Sequence, residues 1–165
     1  MNKLEIKLYD STSPNYHLSK KLLEKFHLSF DINQKEREVL FIEHVCNNVK
    51  KSKSVLYVLS LDGQNLGLIA SSVTSVSDYP CIQIDFIFTD KRYRGKKIKE
   101  LDNLKVSEFL IDLLITEARE IKQKVGLKYL VLLPDNNELI PLYKDLGFNI
   151  FKNKKNKNSY MYLSL

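Results

Sequence analysis

The sequence is short of the features that mark several functional classes. Only two cysteines, Cys46 and Cys81, occur in 165 residues, and they do not form a CxxC pair. A disulfide framework is excluded, a zinc site is not expected, and both thiols are predicted to be buried and free in a reducing cytoplasm. Long apolar runs are also missing: even Phe109 to Ile115, interrupted by Asp112, falls far short of the roughly 20 residues of a membrane-crossing helix. The N-terminus, MNKLEIKLYD, alternates charged and apolar residues and lacks the core of a signal peptide. Neither a repeat nor a linker is visible. Residues 1–165 are therefore expected to form one cytoplasmic domain, large enough to bury a core unaided, with no membrane partner.

What the chain does have is positive charge. A net charge of +6 favours anionic partners, among them cofactor phosphates, tRNA and acidic proteins.

Apolar spacing gives the elements. Leu4, Ile6 and Leu8 alternate through a strand at Lys3 to Tyr9. Leu18, Leu22 and Phe26 fit a short helix, and Val39, Ile42, Val45, Cys46 and Val49 form the stripe of a second from about Gln34 to Lys51. Val55 to Leu61 and Asn65 to Val76 make a hairpin across Asp62-Gly63. A strand from Ile82 to Thr89 follows. The clearest helix carries Val106, Leu110, Leu114, Ala118 and Ile121, with Gly126 as its predicted C-cap. Tyr129 to Leu133 reads as a buried strand, Asn137 to Leu146 as a helix stopped by Gly147. Phe148 to Phe151 and Ser159 to Leu165 close a hairpin around the polar tip at 152–158. The order is β-α-α-β-β-β-α-β-α-β-β, an α/β (α+β) chain with a mixed central sheet of about seven strands and about four helices.

The strongest local signal runs from Cys81 to Leu114. A strand leads into a basic cluster, Lys91, Arg92, Arg94, Lys96, Lys97 and Lys99 around Gly95, and then into a long helix beginning near Asn103 or Ser107. Strand, basic turn and helix N-terminus together make a phosphate cradle, because backbone N–H groups, the helix dipole and the cations converge.

Three segments carry a resemblance to a known family: IFTDKRYRGKK after the strand, GLKYLVL entering the next, and NNELIPLYKDLGF after it. The last is similar to the pattern Asn-x-x-Ala-x-x-x-Tyr-x-x-x-Gly-Phe, with Asn136, Tyr143, Gly147 and Phe148 in register and Leu139 where alanine is usual. Residues 55–165 thus resemble the GCN5-related N-acetyltransferase (GNAT) superfamily; the first 50 residues match only as a strand and two helices. The phosphate loop departs from the family's Gln/Arg-x-x-Gly-x-Gly/Ala, since a pattern begun at Arg94 puts Lys97 and Lys99 where glycines belong. An insertion from Ile98 to Lys105 restores the helix register and leaves Lys105-Val106-Ser107 before the helix. The loop is expected to be extended and lysine-rich, gripping phosphate with side chains more than with backbone amides.

The resemblance implies acetyl-CoA as cofactor, bound by the backbone of Ile87, Phe88 and Thr89 and by Arg94, Gly95, Lys96, Lys97, Ser107, Asn136 and Tyr143. It implies Tyr143 as the general acid toward the coenzyme A sulfur, a role the Gly147-Phe148 context favours over that of a plain core tyrosine. Asn136 reads equally as a helix cap. The family's strand glutamate falls at Gln83, which cannot accept a proton. Asp85, two residues on and on the same face, is the candidate base, with ordered water as its competitor. The implied activity is direct transfer of acetyl from the thioester to a primary amine on a small molecule, peptide or protein. Two alternatives stay open: a toxin-type enzyme acetylating the amino group of charged tRNA, and a degenerate fold that binds without turnover. Nucleic acid is an open partner, and the chain is a monomer or homodimer.

Overall fold

The computed structural model describes residues 2–14, 17–151 and 159–165. Its strands are β1 (Leu4–Tyr9), β2 (Val55–Leu61), β3 (Gln64–Val76), β4 (Tyr79–Thr89), β5 (Lys97–Ile98), β6 (Leu104–Lys105), β7 (Tyr129–Leu132), β8 (Asn149–Ile150) and β9 (Met161–Ser164). The helices are α1 (Leu18–Lys25), α2 (Ile32–Lys50), α3 (Val106–Lys122) and α4 (Ile140–Asp145). Seven strands form a mixed sheet in the order β1-β2-β3-β4-β7-β9-β8, and β5 pairs with β6 apart from it. The predicted mixed sheet with four helices is what forms. Among the described residues no helix is long and apolar enough to cross a membrane. The polar tip at 152–158 lies outside the described residues.

Contacts divide the chain into two compact units. The first comprises Met1–Ser71 and Asp85–Asp112. Its core joins Leu18, Leu22 and Phe26 to Ile42, Val45, Cys46 and Val49 of α2, all packed on Leu56, Val58, Leu68, Ala70 and Phe88. The i, i+3, i+4, i+7 spacing of the α2 residues puts them on one stripe, and each buried aliphatic side chain contributes about 1.5–3 kcal/mol. Asp31 starts α2 by accepting the Gln34 N–H at 2.9 Å, a capping geometry that begins the helix ahead of the predicted Gln34. The buried stripe also includes Glu38, where the spacing had suggested Val39. Gly67 permits the tightest approach in this unit: a Cβ there would lie 2.6 Å from both the Phe88 carbonyl oxygen and Val106 Cγ1.

The second unit comprises Ser72–Ile84 and Leu113–Leu165. Here β7 runs parallel to β4 from Cys81 to Ile84, and β9 lies antiparallel to both β7 and β8. Val76, Cys81 and Val131 form its buried cluster, with Tyr129, Phe151, Tyr160 and Tyr162 packed around them. One expectation fails in this unit. The α3 helix ends at Lys122, and bonds from Gln123 to Glu120 and from Lys124 to Ile121 tighten its exit into a narrower turn. Gly126 is not in the left-handed region, so it does not cap the helix.

Candidate active site

The residues singled out from the sequence fall in both units. Asp85, Ile87, Phe88, Thr89, Arg94, Gly95, Lys96, Lys97 and Ser107 belong to the first, Asn136 and Tyr143 to the second.

In the first unit, β4 continues from Asp85 to Thr89 beyond the end of its ladder with β7. Phe88 turns its ring into the core, where it meets Phe26 edge-on at 5.2 Å; Ile87 and Thr89 are half-buried. The Phe88 side chain thus serves packing. Asp85 is half-buried and accepts a hydrogen bond from the Ser54 hydroxyl at 2.9 Å.

The basic loop is more ordered than an extended run of lysines. Asp90 caps a single turn at Lys91–Tyr93 by accepting the Arg92 N–H. Gly95 then takes φ +72°, the left-handed region open to glycine. The inserted stretch folds back on itself: Lys97 pairs with Lys105 and Ile98 with Leu104, so the chain returns directly to Val106, the first residue of α3. Asp102 and Asn103, both at positive φ, make the reversal, and the fully buried Leu101 anchors it. Lys97 and Lys105 stand directly opposite each other on this ladder. Two like charges so placed destabilise a strand pair by about 0.2–1 kcal/mol. They also sit where α3, 17 residues long, presents the positive end of its dipole. An anion held there relieves both penalties. Ser107 follows in the first turn of α3, half-buried.

Half of the cations in the basic cluster are engaged internally. Arg92 donates to both oxygens of the fully buried Asp90, at 3.0 and 3.1 Å. Burial pushes the Asp90 carboxyl up, but the Arg92 guanidinium and the His27 and Arg92 amides outweigh it, and the net shift is downward. Arg94 bonds to Thr89 O, Ser29 Oγ and Glu38. Lys91 Nζ is buried over the Phe30 ring with no hydrogen-bond partner among the described residues. Lys96, Lys97 and Lys99 remain exposed.

In the second unit, the Tyr-x-x-x-Gly-Phe segment is a helix-ending motif. Phe148 N–H donates to the Tyr143 carbonyl at 3.0 Å and Gly147 N–H to the Lys144 carbonyl at 3.0 Å, with Gly147 at φ +99°. This is the Schellman arrangement, completed by the contact it usually brings between its end residues: the Tyr143 and Phe148 rings meet edge to face at 6.2 Å. The cap fixes the Tyr143 ring in a site where it is 9% exposed. Burial first, and then the negative charge of Asp135, push its phenol above the ordinary value of 10.0. Asn136 is exposed and accepts the Glu138 N–H at 3.0 Å, the capping role that its residue type allows.

A model of the acetyltransferase (GNAT) family matches residues 17–148. The chain belongs to the GNAT acetyltransferase family. It is accordingly an acyltransferase with acetyl-CoA as its donor. No curated protein matches it. Among solved structures, this GNAT acetyltransferase is similar in fold to AtaTR bound with AcCoA, at TM-score 0.72 and 17% identity over 98% of this chain and 92% of that one. It is similar to AtaT complexed with acetyl-methionyl-tRNAfMet at TM-score 0.70 and 16% identity, over 98% and 95% of the two chains. The Campylobacter jejuni N-acetyltransferase PseH is a third, at TM-score 0.56 and 16% identity over 96% and 97%.

Several groups around the GNAT loop escaped sequence reasoning. Asp90 had a signal, being the residue between the last strand position and the basic turn, where caps belong. Glu38 had a weaker one, a carboxylate four residues before Ile42 on the apolar stripe of α2. Ser29 had none. Neither cysteine of this GNAT enzyme suits covalent transfer: both are buried free thiols, and burial pushes Cys46 up to about 11.

Proposed function

We propose that the whole chain works as one cytoplasmic N-acetyltransferase domain. It moves the acetyl group directly from acetyl-CoA to a primary amine of a small molecule, peptide or protein. The observation that carries this reading is Tyr143, a buried phenol fixed by a helix cap and kept protonated across the physiological range. A proton donor to a departing thiolate needs that state. Acetyl-CoA supplies the activated thioester. The backbone of Ile87, Phe88 and Thr89 holds the pantetheine arm, and Lys96, Lys97 and Lys105 neutralise the pyrophosphate beside Gly95 and Ser107 at the start of α3. Asn136 fixes the turn that leads into Tyr143. Asp85 accepts the amine's proton, directly or through water. What supports the phosphate assignment is the Lys97–Lys105 pair, an arrangement that repels itself unless an anion is present.

Tyr143→Phe tests this reading. It is expected to lower kcat by about 10²–10⁴-fold and to leave acetyl-CoA affinity within about twofold. An unchanged kcat in an acceptor screen contradicts it.

A second reading takes the amino group of charged tRNA as acceptor. What favours it is the likeness in fold to AtaT, seen in complex with acetyl-methionyl-tRNAfMet, together with the net charge of +6. Copurified RNA, read from the 260/280 nm absorbance ratio, separates it from small amines. Binding of acetyl-CoA with no turnover on any amine points instead to a degenerate fold.

A further inference from the structure

We infer that Arg94 is a positioning residue rather than a phosphate ligand, and that with Glu38 it forms a strut locking the turn between α1 and α2 onto the entrance of the basic loop. The inference rests on the acetyl-CoA reading of that loop for its consequence, though not for its geometry.

All three nitrogens of the Arg94 guanidinium donate within the protein. Nε donates to the Thr89 carbonyl at 2.9 Å, Nη1 to Ser29 Oγ at 2.7 Å, and Nη2 to Glu38 Oε1 at 3.1 Å. Glu38 is the partner that cannot release it. Its side chain is 5% exposed against 38% for Arg94, and its oxygens already accept the Ser29 amide at 2.9 Å and the Ser29 hydroxyl at 2.7 Å. Withdrawing the guanidinium toward a ligand would leave a buried carboxylate without its cation, a large penalty.

A second clamp lies beside the first. Asp90, fully buried and held by Arg92, accepts the His27 amide at 2.8 Å, and the Lys91 amide donates to the His27 carbonyl at 3.0 Å. The segment His27 to Ser29 is therefore laced to Asp90–Arg94 by two carboxylates, each paired with an arginine of the loop. Asp90 holds one end and Glu38 the other. The loop entrance and the α1–α2 turn cannot shift independently. The work of neutralising phosphate falls to the lysines after Gly95.

Three variants of the full chain separate strut from ligand. As a strut, Arg94 cannot be replaced by lysine, which offers a point charge but cannot span three partners. Arg94→Lys and Glu38→Gln should then weaken acetyl-CoA about tenfold each, and the double variant no more than either alone. As a phosphate ligand, Arg94 would be freed by Glu38→Gln, and acetyl-CoA binding would hold or tighten; that result overturns the inference. Hydrogen exchange on the unliganded protein decides the matter without the cofactor. The Ser29 and Lys91 amides should exchange faster in Arg94→Lys while the β7 and β9 amides keep their protection, and unchanged exchange at both sites refutes the strut. If wild-type protein fails to bind acetyl-CoA, the cofactor reading of the loop fails, and the exchange result still stands for or against the strut.

Discussion

Tyr143 and Asp90 show at the residue scale how burial, which disfavours the charged form of both, prevails in one site and is overcome in the other. Burial and Asp135 both favour the neutral phenol of Tyr143, so a rate that depends on it as acid keeps its alkaline limb above pH 10. A limb below that value, abolished in Tyr143→Phe, would show that the environment of Tyr143 has been misjudged. For Asp90, hydrogen bonds and the Arg92 charge overcome burial and hold the folded carboxyl below its ordinary 3.8. A carboxyl lowered in this way stabilises the fold at pH above its unfolded value, and the contribution is lost as pH falls through the folded value. Asp90→Asn is thus predicted to cost on the order of 3 kcal/mol at neutral pH, and to flatten the fall in stability below about pH 4. Denaturant midpoints measured from pH 2 to 7 check both parts; an unchanged acid profile would contradict the pairing.

Local motifs at this scale were legible in the sequence. Tyr143, Gly147 and Phe148 could be read together from the family pattern, and the Schellman cap they form is closed within six residues of chain. The pairing of Glu38 with Arg94 was not legible, because the two lie 56 residues apart and nothing in the spacing of either announces the other.

At the scale of elements, two glycines carry distinct duties. Gly67 is needed for space: an added Cβ meets backbone at Phe88 as well as Val106, and the Phe88 carbonyl cannot step aside as a flexible side chain could. Gly67→Ala is predicted to cost about 1–3 kcal/mol, measured as a shifted denaturation midpoint. Gly147 is needed for conformation, at φ +99°. Gly147→Ala should cost about 1–2 kcal/mol and lower kcat as well, since Tyr143 sits in the same cap. A stability loss with kcat intact would dissociate the cap from the chemistry. Longer elements were readable from periodicity, as the stripe of α2 and the run of β4 were. The fold of the basic loop was not. A ladder of two residues per strand is too short to leave an alternating pattern, and its insertion showed only as a mismatch with the glycines of the family. Gly126 misled because glycine near a helix end usually caps it, whereas here the helix had already tightened and stopped at Lys122.

For the whole molecule, charge and family converge on anionic ligands. The GNAT model spans residues 17–148, and the chain carries a net charge of +6. The first measurement to make is calorimetric titration of the wild-type protein with acetyl-CoA, repeated with Lys97→Ala and Lys105→Ala at two salt concentrations. Micromolar binding is expected, weakened about tenfold by either lysine change and less sensitive to salt in both variants. Binding that is indifferent to both lysines would contradict the claim that the folded-back ladder holds the cofactor's phosphates.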